Sequence, residues 1–296
     1  MKIPVTAILL LSLLASCSGK KEAYPFKGKI ITDDFGNSII LKNPPHRIVS
    51  LAPNITEILF AVGADSSLVG VTQFCDYPPA AKTKTVVGGL LNPNHESIVN
   101  LKPDLVLLTT SGNLKNDFEK LHGLGIPVFA SNPRTIEGVY KSIADIGKLT
   151  NRTSAADSLR RFLQARIQTL CEKALAHPPK QVLILLSLNP IVAAGRGTFL
   201  NELLETANGR NIVQGTSIAY PTLSREEILK RHPDVILVSS DVAKKPMEIM
   251  RAYPEWGSMP AIRNNRIHIV DANIVSRPGP RIALALESII AAIHGD

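Results

Sequence analysis

Residues 154–176 (SAADSLRRFLQARIQTLCEKALA) contain neither glycine nor proline. Leu159, Phe162, Leu163, Ile167, Leu170 and Ala174 recur there at helical spacing. Ser154 is placed to cap the start, and His177, Pro178 and Pro179 stop the end. At 1.5 Å per residue such a helix is a rod of roughly 35 Å. A rod of that length near mid-chain holds what precedes and follows it at a fixed separation, as a Gly/Ser linker would not.

What it separates is two similar halves. Residues 95–107 (HESIVNLKPDLVL) align without gaps to 225–237 (REEILKRHPDVIL), with Glu, Ile, Pro, Asp and Leu identical at matching places. Each copy reads as a short helix, a Pro-Asp turn and a buried strand. Pro-Asp is a common turn opener, so part of the match could be convergence. One copy per half, each followed by a matching strand, favours two related lobes. Short apolar runs expected as strands (47–51, 68–72, 104–110, 127–131, 181–188, 234–239, 266–270) alternate with amphipathic stretches. Those expected as helices are 54–62, 94–101, 113–124, 135–149, 198–207, 224–231 and 279–294. This rhythm predicts an α/β fold: two doubly wound lobes, 30–150 and 179–296, bridged by a backbone helix within 151–178.

The N-terminus reads as a lipoprotein signal over 1–16. Lys2 precedes an apolar run from Ile3 to Leu14, followed by Ala15, Ser16 and Cys17. The run is too short for a membrane span, which needs about 20 residues. Leu14-Ala15-Ser16-Cys17 has the form of a lipobox, whose cysteine accepts the lipid, so Cys17 is the expected anchor. The chain is then exported and held at the cell envelope, with 17–29 a polar tether. Cys75 and Cys171, lacking metal-ligand spacing around them, are expected to be free and partly buried.

The formal charge of +8 is spread along the chain, and aromatics make up only 5% of it. No basic run interleaved with aromatics suggests nucleic-acid binding. Nor is there a GxSxG elbow, a GxxxxGK[ST] loop, an HExxH helix or a CxxC pair. No nucleophile–base set assembles from spacing; triads can be distant in sequence, so this counts only weakly against an enzyme, and a binding protein stays the leading expectation. His95, His232 and His268 are expected at the surface or in turns, not as metal ligands, and neither a metal site nor a resident cofactor is expected.

Two groups of residues carry functional expectations. Ser224 and Glu227 form a capping box, with Glu227 reaching back to the helix start and Glu226 pointing elsewhere. Asn94 caps the equivalent helix of the first half, with Glu96 in its first turn. Both glutamates could merely complement helix dipoles, worth roughly 0.3–1 kcal/mol each. Their identical register in the two halves suits docking on a two-fold symmetric cationic partner. Phe74, Tyr77 and Tyr220 lie in expected loops after strands, as does the stretch around Leu90. Such loops line the ligand crevice of α/β folds, where aromatics offer flat apolar contact. The alternative is lobe-to-lobe packing, equally open for Tyr77.

Residues 47–63 (RIVSLAPNITEILFAVG) resemble the opening of the periplasmic binding proteins for iron-siderophores, haem and cobalamin. The resemblance continues through 76–79 (DYPP), 96–106, 201–212 (NELLETANGRNI), 220–228 (YPTLSREEI) and 277–281 (RPGPR). It implies a ligand held between the lobes with little hinge motion. It implies a metal-containing small molecule as cargo, cobalamin or a related corrinoid, with a ferric siderophore or haem as the alternative. It also implies delivery by a single copy of the chain to an ABC permease dimer with its ATPase subunits. Glu96 and Glu226 match the glutamates that meet permease arginines. Phe74, Tyr220 and Arg277 match ligand-contacting places of the cobalamin binders, where the second is tryptophan. Leu90 falls near a cleft tryptophan of those proteins, so a large stacking surface is missing. Arg196, Arg210 and Arg277 keep an anionic siderophore open.

Overall fold

The computed structural model describes residues 29–109, 115–213 and 215–295. The expected signal, Cys17 and the tether up to residue 28 lie outside the described residues. Strand β1 (Lys29–Thr32), which begins where sequence analysis ends the tether, pairs antiparallel with β2 (Ser38–Leu41). The strands that follow are β3 (Ile48–Ser50), β4 (Leu68–Val71), β5 (Thr85–Val86), β6 (Leu105–Thr109) and β7 (Val128–Ser131). They form a parallel sheet in the order β5-β4-β3-β6-β7. The second half supplies β8 (Lys180–Leu188), β9 (Ile191–Ala193), β10 (Gly209–Asn211), β11 (Val235–Ser239) and β12 (Ile267–Val270). Here the order is β10-β8-β11-β12, all parallel, with β9 antiparallel on β8.

The helices of the first lobe are α1 (Pro53–Ala61), α2 (His95–Asn100), α3 (Lys115–Gly123) and α4 (Ile136–Leu149). The rod is α5 (Thr153–Leu175). The second lobe carries α6 (Phe199–Thr206), α7 (Arg225–Arg231), α8 (Pro246–Ala252), α9 (Pro260–Arg263), α10 (Ala272–Val275) and α11 (Ile282–His294). All seven expected strands and all eight expected helices are present. The β1–β2 hairpin, the short strands β5, β9 and β10 and the helices α8, α9 and α10 were not legible in the apolar pattern. Every residue of β6 and β11 is buried, as parallel strands covered on both faces require.

Three differences from expectation are local. Helix α5 starts at Thr153 after Arg152, and neither Arg152 nor Ser154 provides a side-chain cap. Phe162 points to solvent, 65% exposed, while Leu163, Ile167, Leu170 and Ala174 carry the buried stripe. His268 lies half-buried in β12, not at the surface, and burial together with the charge of Arg266 lowers its pKa. His232 does occupy a turn, with φ +45°, at the end of α7.

One apolar core runs through both lobes. It joins Ile55 and Ile58 of α1, Ile143 and Ile146 of α4, the α5 stripe, Leu203 of α6 and Leu286 and Ile289 of α11. Helix α5 packs on both α4 and α11. Gly147 permits the first contact, because a Cβ there would lie 2.4 Å from that of Ala156. Each fully buried Leu or Ile contributes about 1.5–3 kcal/mol, so a hinge through this region would expose a costly area. The outer face of each sheet has its own smaller core, around Ile98, Val106 and Leu121 in the first lobe and around Ile228, Ile236 and Trp256 in the second. Among the described residues no helix is long and apolar enough to cross a membrane.

Candidate ligand-binding cleft

In both sheets the chain reverses its direction of growth beside the first strand. That happens between β3 and β6 in the first lobe and between β8 and β11 in the second. Crevices form beyond the strand ends at such switch points. A cleft of about 680 Å³ opens there, lined from both lobes. The first lobe contributes Ala52, Pro53 and Asn54 at the start of α1, Phe74 after β4, Leu90, Thr109 at the end of β6, and Pro133 and Arg134 after β7. The second contributes Thr198 and Phe199 at the start of α6, Ala219 and Tyr220, Asp241 after β11, and Asn273, Ser276, Arg277 and Pro278.

Phe74 is 48% exposed and Tyr220 57% exposed, one from each lobe. Phe74 sits in a tight turn in which Cys75 N–H donates to the Thr72 carbonyl at 3.0 Å. The Cys75 thiol is buried 3.2 Å from the hydroxyls of both Thr56 and Thr72. Cys75 and Cys171 are both free, as expected. Tyr220 is carried by a segment that runs beside β9, held by Ala193 N–H to the Pro221 carbonyl and Leu223 N–H to the Ile191 carbonyl. Gly195 donates to Ala219 O at 2.8 Å, and a Cβ on it would meet Ile218 O at 2.7 Å. Only glycine lets the backbone approach that closely.

Arg277 reaches the cleft, but its guanidinium is engaged. It contacts Asp76 at 2.6 Å, Asn273 Oδ1 at 2.5 Å and Phe74 O at 3.2 Å. Tyr77 is not part of the cleft wall. Its ring lies under the Arg281 guanidinium, 4.2 Å from centroid to carbon, at the lobe boundary. Arg196 and Arg210 also lie outside the wall. Among the described residues, the charged side chains of the wall are Arg134, Asp241 and the neutralised Arg277, the first two exposed. Sequence reasoning missed Asp241, Arg134, Glu57 and Arg281. Glu57 had a signal: a lone carboxylate inside the apolar helix α1.

Glu96 and Glu226 are both exposed in first helical turns, of α2 and α7. Each helix starts five residues after a cleft residue, Leu90 or Tyr220. Asn94 Oδ1 accepts from Ser97 N–H at 2.9 Å, and Ser224 Oγ accepts from Glu227 N–H at 3.1 Å, so both caps form. The reciprocal half of the expected box does not. Glu227 turns down its helix to Arg231, 2.5 Å away. Glu226 is the carboxylate held at the cap: its own backbone amide and the Ser224 hydroxyl lower its pKa below the usual range. An ion pair with a cation outweighs a return bond to an exposed amide that water already satisfies. His95 is likewise half-buried, with Nε2 2.9 Å from Asp117 Oδ1, and is not a free surface residue.

Two α/β lobes fixed by a rigid helix, with a cleft between their strand ends, define a solute-binding protein. The chain belongs to the periplasmic binding protein family, whose profile matches residues 48–274. It is 31% identical over 309 aligned positions to an uncharacterized ABC transporter substrate-binding lipoprotein of Bacillus subtilis, covering 99% of this chain and 97% of that one. The crystal structure of the periplasmic vitamin B12-binding protein of Vibrio cholerae is similar, with a TM-score of 0.76 and 28% identity over 84% of this chain and 97% of that one. So is a possible iron-binding periplasmic protein of Staphylococcus epidermidis, with a TM-score of 0.76 and 30% identity over 85% and 100% of the two chains.

Proposed function

We propose that this protein captures cobalamin or a related corrinoid outside the cytoplasm and delivers it to an ABC permease. The observation that carries the ligand assignment is the balance of the cleft wall. Phe74 and Tyr220 present half-exposed aromatic surfaces from opposite lobes, while Arg277 is neutralised by Asp76. Such a wall suits a large, amide-rich, weakly charged ligand, since aromatics supply apolar contact and polar groups orientation. The likeness to vitamin B12-binding proteins supports the same reading. Arg134 favours a second reading, an anionic iron chelate, because it lines the cleft and is exposed to meet a carboxylate or catecholate.

The cargo is a ligand in transit and not a resident cofactor. Glu96 and Glu226 are assigned to permease docking, one per lobe, and Cys17 to lipid attachment. The description of the Bacillus subtilis relative as a lipoprotein supports the latter assignment. Calorimetry of the purified protein with cyanocobalamin, haem and a ferric siderophore tests the ligand. Saturable one-to-one binding of cyanocobalamin is expected. Binding of the iron chelate alone replaces the first reading with the second.

A further inference from the structure

The side chain of Glu57 is 1% exposed, in the middle of α1. It accepts from Arg281 Nε at 2.8 Å and Nη2 at 2.6 Å, and Arg277 Nη1 lies 3.4 Å away. Both arginines come from the other lobe, 220 and 224 residues along the chain. Arg281 also donates to the Asn273 carbonyl at 2.7 Å, and Arg277 reaches Asp76 and the Phe74 carbonyl. Asn54, one turn before Glu57, donates to the Pro278 carbonyl at 3.2 Å.

Two carboxylates and two guanidiniums thus balance at the lobe boundary beside the cleft. A buried ion pair is weak evidence of net stability, because desolvation offsets the attraction. What a bidentate carboxylate–guanidinium contact adds is direction: it fixes distance and angle between the groups it joins. The groups joined here are parts of the cleft wall. Helix α1 begins with Pro53 and Asn54, and residues 273–278 form the facing wall.

We propose that Glu57 is a positioning residue that sets the ligand-free aperture of the cleft and the placement of Phe74, by clamping Arg277 and Arg281 across the lobe boundary. A wall already in place spares the ligand the cost of ordering it. The effect on ligand rests on the cleft reading above; the clamp itself does not.

The test is hydrogen exchange by mass spectrometry on the ligand-free mature chain, together with cyanocobalamin dissociation by stopped flow. Glu57→Gln leaves two arginines facing a neutral amide. Exchange should quicken in 73–77 and 272–282 while β6 and β11 keep parent rates. Cyanocobalamin should leave faster by about tenfold, since interface changes act mainly on dissociation. Arg281→Lys keeps the charge but loses the planar fork; it should give a smaller change in the same two segments, and it serves if Glu57→Gln does not fold. Unchanged exchange in both segments, or equal acceleration through the whole chain, overturns the clamp. If the parent does not bind cyanocobalamin while the exchange pattern holds, the corrinoid assignment fails and the clamp stands.

Discussion

Arg277 Nη1 lies 2.6 Å from Asp76 Oδ1, so a cation of the second lobe that lines the cleft meets a carboxylate of the first. Partial burial alone would raise the Asp76 pKa, but the hydrogen bond and charge of Arg277 outweigh it and hold the carboxyl below its usual value of 3.8. A carboxyl depressed on folding adds stability that is full above the unfolded pKa and lost as pH falls through the folded one.

Asp76→Asn should therefore remove a component of stability that the parent shows at neutral pH and loses in acid below 3.8. Denaturant unfolding at a series of pH values measures this. Parent and variant should converge in acid. A constant offset at every pH would assign the effect to packing. The side chain is 40% exposed, so solvent screening makes the pH slope, and not the size of the offset, the quantity to read.

Tyr220→Ala should weaken cyanocobalamin binding by roughly 1–3 kcal/mol, the range for a buried aromatic contact. Tyr220 is 57% exposed in the open cleft, so its removal should leave thermal stability nearly unchanged. Calorimetry and a melting curve on the same sample separate the two effects. Unaltered affinity would move the ligand contact off Tyr220.

The double variant Glu96→Ala with Glu226→Ala should keep ligand affinity and lose transport. Glu226 is held ionised by its own amide and by Ser224, so this carboxylate keeps its charge in mildly acidic surroundings. Charge pairs across such an interface set orientation and on-rate. Uptake of labelled cobalamin by cells, compared with binding by the pure variant, is the measurement. Normal uptake would leave the two glutamates as helix-dipole partners only.

Cys17→Ala should release the protein from the membrane fraction. Several acyl chains hold a protein firmly, whereas one binds marginally. Mass spectrometry of the mature N-terminus decides the point, and an unmodified Cys17 in the native protein would refute it.

Much of the architecture was legible because its causes are local. The α5 stripe, the Asn94 and Ser224 caps and the buried runs of β6 and β11 follow from side-chain period and from hydrogen bonds spanning a few residues. The repeated helix–turn–strand gave the two lobes. The reciprocal capping box was misread for a related reason. Glu227 lies three residues from Ser224 and four from Arg231, two partners within reach of one carboxylate, and spacing alone does not rank them.

By itself, then, the sequence determined the longer helices and the buried parallel strands, that two similar lobes flank one rod, and which aromatics stand in loops at strand ends. Tertiary structure alone decided the use of each loop residue. Tyr77 and Phe74 are three apart in sequence, yet Tyr77 lies beneath Arg281 and Phe74 lines the cleft. Arg277 was legible as a cleft residue, but its engagement with Asp76 was not, nor was the pairing of Glu57 with Arg281. Those contacts join groups 201 and 224 residues apart. Hydrophobic period ranks residues by burial and is blind to charge pairing over such separations; only the docking of two folded lobes brings these charges within reach of each other.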